Sequence, residues 1–335
     1  MIKLTRKFFA LSAFLSALVF ASFAITSNAE ASSHKKGTFA TEACNPIQVV
    51  IHASYGGGTD TTARMMSIRS RRTLAADMQI VGKRGGSGAK AQNYTLTRPK
   101  DGCTIMALTE SHLYTMARGK SDMKIDDLVG VARAMEEPTF IVVNAKNKEL
   151  STIKKFIKRS KKKPIVTAIA SIGGTEHIGM YNYSKTADVP FKAVSFGSGA
   201  QSLQALASGK VEASLLNPSE AAALIADKKI KAIVLLHDKA LADYPKVKTS
   251  YSMGHKVKVV TTRGYAVLKG TPQSVIDEIS KGMVKAMKHE TFGNYLKGAS
   301  LDPATSPAGT KVWDKQLKEN YKKAAAALKG LGLTK

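Results

Sequence analysis

A chain of 335 residues with 51 Lys+Arg against 25 Asp+Glu, a formal net charge of +26, has room for two domains with real cores and presents a surface suited to anionic partners. Seven histidines without a His-Glu-x-x-His motif, and two cysteines far apart in the chain, argue against a zinc site, and no other metal or cofactor is expected. No basic segment is interleaved with aromatic residues in the RNA-binding manner, so no nucleic-acid partner is expected either.

In chain order, Lys3, Arg6 and Lys7 precede an apolar stretch over 8–26, and Ser27-Asn28-Ala29 offers small residues where a signal peptidase reads. Residues 1–29 therefore read as a cleavable secretory signal, with an uncleaved anchor as the rival. No cysteine follows the apolar stretch closely enough to take a lipid, and no later segment is apolar enough to span a bilayer. Export to the periplasm follows as the expectation, with 30–46 as a lead-in. From Ile47 onward, β-rich runs at 47–53, 78–81, 104–108, 139–143, 165–170, 191–195, 212–216, 230–236 and 257–268 alternate with helical patterns. The helices are expected near 61–74, 89–97, 152–161, 175–185, 200–207, 219–226, 272–288 and 307–328. In the last of these, Val312, Trp313, Leu317 and Tyr321 are expected to share one face. In the helix at 152–161, Ile153, Phe156 and Ile157 form an apolar stripe and the lysines face water. Strand–helix alternation with nearly continuous Val, Ile, Ala and Leu strands predicts an α/β fold with mainly parallel sheets covered on both faces. Cys44 and Cys103 each open a predicted strand; if those strands are parallel neighbours the sulfurs lie at one end of the sheet and can bridge, and otherwise they are two buried thiols.

Glycine-rich turns follow three of the apolar runs, at Tyr55 to Gly58, Ser171 to Thr175 and Ser195 to Gly199. Ligands of parallel α/β sheets bind beyond the carboxyl ends of strands, where helix N-termini point, so three such turns suggest a cleft between two lobes. A phosphate loop is excluded because no Gly-Lys-Ser/Thr follows, and a dinucleotide turn because Gly56, Gly57 and Gly58 run straight into Thr-Asp-Thr. The hydrolase elbow is only approached at Gly85-Gly-Ser87-Gly-Ala89 and around Ser198. His112, His177 and Glu176 have no spacing that supports a triad, so no catalytic residue is assigned and no enzyme is expected. His52, inside a predicted strand, reads as a core histidine.

The motifs together resemble the periplasmic substrate-binding proteins of tripartite tricarboxylate transporters, the Bug receptors. The likeness is carried by Tyr55-Gly-Gly57-Gly58-Thr-Asp60-Thr-Thr-Ala63-Arg64, Asp101-Gly102-Cys103-Thr104 and Gly173-Gly174-Thr175-Glu176-His177. It continues through Val194-Ser-Phe196-Gly-Ser-Gly199-Ala200, Leu206-Ala-Ser-Gly209-Lys-Val211-Glu-Ala213, Tyr244-Pro-Lys-Val-Lys-Thr249 and Gly270-Thr-Pro272. The chain departs from the pattern at Gly82-Lys83-Arg84-Gly85, and Cys103 stands where the family has tyrosine. The resemblance implies a two-lobed Venus-flytrap architecture, with lobe 1 over 47–138 and 258–335 and lobe 2 over 139–257. It also implies a receptor, expected as a monomer, that captures a small carboxylated solute and delivers it to membrane permease subunits. Carried over, it nominates Tyr55, Gly57, Gly58, Thr59 and Asp60 on one side, facing Gly174, Thr175, Glu176, His177, Ser198, Gly199 and Ala200. Asp60 either caps the helix or receives an amine or hydroxyl of the ligand. The competing readings are an exported basic hydrolase and a polyanion-binding envelope protein.

Overall fold

The computed structural model describes residues 44–333, so the expected signal peptide and all but the end of the lead-in lie outside the described residues. The sheet is built from β1 (Ile47–Ile51), β2 (Met78–Gly82), β3 (Thr104–Leu108), β4 (Leu128–Asn144), β5 (Ile165–Ile169), β6 (Phe191–Ser195), β7 (Ala213–Leu216), β8 (Ile230–Leu236), β9 (Val260–Leu268) and the short β10 (Ala308–Gly309). Its helices include α1 (Gly58–Ser67), α2 (Ala89–Leu96), α3 (Glu110–Ala117), α4 (Ile153–Ser160), α5 (Thr175–Ala187), α6 (Gly199–Ala207), α7 (Pro218–Ala226), α8 (Gln273–Met287), α9 (Glu290–Gly298) and α10 (Thr310–Gly330). Among the described residues no helix is long and apolar enough to cross a membrane.

Two sheet halves share one strand. β1 pairs in parallel with β2 and β3, and β5 in parallel with β6 and β7. The junction is made by β4, whose first part, Leu128 to Pro138, runs antiparallel to β9. From Thr139 onward the same strand pairs with β8, and from Phe140 with β7, both antiparallel. This is the two-lobed α/β fold, with antiparallel crossing strands at the centre of otherwise parallel sheets. The stretch before Thr139 is strand although the sequence pattern predicts none there: Gly130, Arg133, Glu136, Glu137 and Pro138 break its apolar run. Helices α3 and α9 likewise appear where no helix is expected, each only eight or nine residues long and rich in polar side chains.

The core follows the period of two. Ile47, Val49 and Ile51 of β1 join one apolar cluster with Met66 of α1 and Ile276, Ile279 and Met283 of α8, while Val50 joins another with Trp313 and Leu317 of α10. In the other half, Ile141 and Val143 pack with Phe156 and Tyr183, whereas Phe140 and Val142 pack with Leu206 and Leu235. Each such buried aliphatic contributes about 1.5–3 kcal/mol, so both halves are held by extensive apolar packing. On α10 the buried stripe is Trp313, Leu317, Ala324 and Leu328; Val312 is 55% exposed, because one residue of helix turns a side chain about 100° away. The Trp313 indole N–H donates to Tyr265 O at 2.9 Å, and Gly264 leaves the space its ring fills. On α4, Phe156 is buried with Ile153 and Ile157 against the same cluster, and Lys154, Lys155 and Lys158 are exposed. Cys44 and Cys103 form a disulfide with Cα atoms 5.0 Å apart, joining the chain just before β1 to the chain just before β3.

Candidate functional site

Three strands end at a helix start on one side of the sheet. β1 leads through Ala53 to Gly57 into α1, β5 through Ser171 to Gly174 into α5, and β6 through Phe196 to Ser198 into α6. Ser198 is the N-cap of α6, its hydroxyl accepting from Gln201 N at 3.3 Å. The three starts surround a cavity of about 30 Å³ lined by Gly58, Thr59, Thr175, Glu176, Ser198 and Gly199, with His52, Ala53, Thr109, Ser111, Ala170, Glu220, Thr261 and Arg263 completing the wall. The two halves touch around it. Ser54 N donates to Gly197 O at 3.3 Å and Ser54 Oγ to Gln201 Oε1 at 3.0 Å. Ser87 Oγ donates to Ile172 O at 2.7 Å, and the hydroxyls of Ser111 and Thr175 lie 3.1 Å apart.

At one wall sits Arg263 of β9, only 5% exposed. Its Nε donates to Glu137 Oε2 of β4 at 3.2 Å, its Nη2 to Asn217 Oδ1 at 3.1 Å, and its Nη1 to Thr59 Oγ1 at 3.5 Å. Glu137 also accepts from Ser219 N and Ser219 Oγ at 3.0 and 2.9 Å. Glu220 Oε1 is 3.9 Å from the guanidinium and accepts from Gly58 N at 3.3 Å. Burial works against the charge on Arg263, but Glu137 and Glu220 outweigh it and hold its pKa above the ordinary value. One cation thus joins β9, β4 and the start of α7 across the boundary between the halves.

The remaining titratable groups respond to burial. Burial, with Arg263 adding repulsion, brings His52 down to about 4, so its imidazole is neutral at physiological pH. Burial, with the Glu220 carboxylate nearby, pushes Glu176 up to about 7. His112, stacked edge-on to His52 at 4.1 Å, is held well below its ordinary value by burial and accepts from Thr109 N at 3.1 Å.

Of the residues nominated from sequence, the fold brings Gly58, Thr59, Thr175, Glu176, Ser198 and Gly199 to the cavity wall. The others have different surroundings. Tyr55 is 51% exposed, its hydroxyl accepting from Gly82 N at 3.1 Å. Gly57 and Gly174 donate to Ser54 O and Ser171 O within their own turns. Asp60 accepts from Gly56 N at 2.8 Å and pairs with Arg64 at 2.9 Å, so its carboxylate closes the turn ahead of α1. His177 Nδ1 accepts from Gly173 N at 2.9 Å, and Ala200 lies within α6, off the wall. The expectation for His52 is corrected: β1 ends at Ile51, and His52 faces the cavity with an unpartnered Nδ1. Sequence reasoning missed Arg263, Thr261 and Glu137, whose only signal was charge or polarity in otherwise apolar strands, and Glu220, in the first turn of α7.

At Gly58 the backbone comes up against the Arg263 guanidinium. A Cβ there would lie 2.3 Å from Arg263 Nη2 and 2.9 Å from Glu220 Oε1. Gly58→Ala is therefore expected to destabilise the protein by about 1–3 kcal/mol in urea unfolding, since the buried cluster must shift to admit it.

A larger groove of about 870 Å³ lies on the other face of β9: Val260 and Thr262 line it, while Thr261 and Arg263 line the cavity. Glu110, Lys258, Lys311 and Lys315 border this groove. Glu110 Oε2 accepts from Thr262 N at 2.7 Å, and burial pushes the carboxyl up to about 7.

Comparison with known proteins gives a consistent picture. Residues 62–333 match the family model described as the tripartite tricarboxylate transporter family receptor. The UPF0065 protein in the gbd 5' region of Cupriavidus necator is 23% identical over 295 residues, 87% of this chain and 88% of that protein. The periplasmic binding protein BugD superposes with a TM-score of 0.80 at 20% identity, covering 87% of this chain and 98% of its own. MatC from Rhodopseudomonas palustris, solved with malate bound, superposes with a TM-score of 0.78 at 20% identity, covering 85% and 99%.

Proposed function

The chain belongs to the tripartite tricarboxylate transporter receptor family, and from that premise we propose that it is an extracytoplasmic receptor closing two lobes on a small carboxylate-bearing solute. The lobes are residues 47–138 with 258–335, and residues 139–257, hinged where β4 and β9 cross. The signal-like leader supports action in the periplasm, and the closed form is what a membrane permease would receive. The observation that carries the reading is the convergence of three helix starts, at Gly58, Thr175 and Gly199, on one cavity. Backbone N–H groups at such starts favour negative charge, and the glycines let a ligand approach the backbone. Malate in the MatC structure supports a compact carboxylate as the solute class. The cavity, about 30 Å³, has room for little more than a water, so entry requires the halves to separate.

A thermal-shift screen of di- and tricarboxylates, aromatic acids and acidic amino acids tests this. One compound is expected to raise the melting temperature in a concentration-dependent way, with about 2.7 kcal/mol of stabilisation at a hundred times its Kd. If no small acid stabilises the protein while a polyanion binds with steep salt dependence, the receptor reading fails in favour of polyanion binding.

A further inference from the structure

Two of the three helix starts and the guanidinium of the cavity are already engaged by the chain's own carboxylates. Gly58 N, at the start of α1, donates to Glu220 Oε1. A Cβ on Gly199, at the start of α6, would lie 2.2 Å from the same oxygen, so Glu220 fills the space between the two helix starts. The one buried guanidinium on the wall, Arg263, is bonded to Glu137 and Asn217. With Glu137 matched to Arg263, Glu220 leaves the interior negative, and Glu176 adds to that charge above about pH 7.

Polar atoms, moreover, stand without partners. Glu176 Oε2, Thr261 Oγ1 and the Nδ1 of His52 are buried, line the cavity and make no hydrogen bond. A shielded carboxylate oxygen without a donor is costly, and a ligand that supplies one recovers that cost on binding. A solute carrying carboxylates alone would bring further negative charge to Glu176 and leave its oxygen unmet. A solute with an ammonium group brings three N–H donors and the opposite charge.

We propose that the cavity recognises a compact zwitterion, a solute with both a carboxylate and an ammonium nitrogen, and that Glu176 is the residue that reads the nitrogen. Thr261 Oγ and His52 Nδ1 offer further hydrogen-bonding positions, and the start of α5, where Thr175 lines the cavity, is where the solute's carboxylate would sit. This inference rests on the receptor reading above and narrows its solute class.

The test uses matched pairs differing only in the nitrogen: aspartate with succinate, glutamate with glutarate, and γ-aminobutyrate with butyrate. Affinities are measured by calorimetry on the wild-type protein and on Glu176→Gln. In at least one pair the amino compound is expected to bind at least tenfold tighter to the wild type. Glu176→Gln should reduce that preference about tenfold, chiefly by weakening the amino compound. The wild type supplies a second readout that needs no variant. Protonating Glu176, which faces Glu220 and Arg263 across the cavity, should shrink the preference between pH 8 and pH 6, a window in which the solute ammonium and the neutral His52 keep their charge. Desamino acids binding as tightly as their partners, or a preference that neither Glu176→Gln nor the pH change reduces, overturns the zwitterion proposal and leaves the receptor reading in place. Absence of binding by every compound of the wider acid screen overturns both.

Discussion

Arg263→Met is expected to lower the folding free energy by about 3–5 kcal/mol, as read from urea or guanidinium unfolding. The guanidinium is 5% exposed, and Glu137, its closest carboxylate, is fully buried in β4. Removing the cation leaves Glu137 with only the N–H and hydroxyl of Ser219 as donors, and a buried carboxylate without its countercharge bears the full desolvation cost. The double variant Arg263→Met, Glu137→Leu removes both charges and should recover most of the loss, since a buried pair replaced by apolar side chains is often neutral or better. A single variant as stable as the wild type would mean that Arg263 does not offset the burial that raises the pKa of Glu137. Because Arg263 also reaches Asn217 and Glu220 on the α7 side, the change should loosen the junction between the halves, measurable as faster amide exchange in β4 and the first turn of α7.

Glu110→Gln should leave stability nearly unchanged at acidic pH and raise it at alkaline pH. Burial raises Glu110 to about 7 from 4.5, with Glu136 adding to the effect. For an acid raised in the folded state, the native protein holds its proton while the unfolded chain has lost it. The associated stability is present below pH 4.5 and is lost as pH rises through 7. At about 1.4 kcal/mol per unit, ionised Glu110 costs about 3 kcal/mol at pH 8. The glutamine, which can still accept from Thr262 N, should therefore be nearly neutral at pH 5 and stabilising by about 3 kcal/mol at pH 8. Glu176, His52 and His112 titrate in both proteins and cancel in the comparison. An equal effect at both pH values would show that the groove face of β9 does not hold Glu110 protonated.

The parts of this molecule legible in its sequence were those set by local pattern. The alternation in Ile47 to Ile51 and in Phe140 to Val143 reads directly as two-faced strands, and glycine after an apolar run marks the three turns that meet at the cavity. The first half of β4 was hidden because its charges serve the junction: Arg133 caps Thr305 and Ser306 carbonyls, and Glu137 meets Arg263 from 126 residues away. No spacing rule connects residues 137, 217 and 263; only the antiparallel seating of β9 on β4 and the placement of α7 do so. Asp60 stood at a recognisable motif position, yet its partners are Gly56 and Arg64, a local assignment that the motif alone left between cap and ligand contact. The strongly basic composition gave no hint that the buried interior would be acidic, since surface lysines dominate the total.

The Cys44–Cys103 bridge has a mechanical meaning. β1 enters the sheet between β2 and β3, and its far end carries the loop to Gly58. A pull on the chain ahead of residue 44 would, without the bridge, act on Ile47 first and peel β1 from both neighbours one residue at a time. With the sulfurs joined, the load passes from Cys44 into the segment ahead of β3 before it reaches β1. Tension from the N-terminal side is thus shunted past the strand that positions the α1 turn.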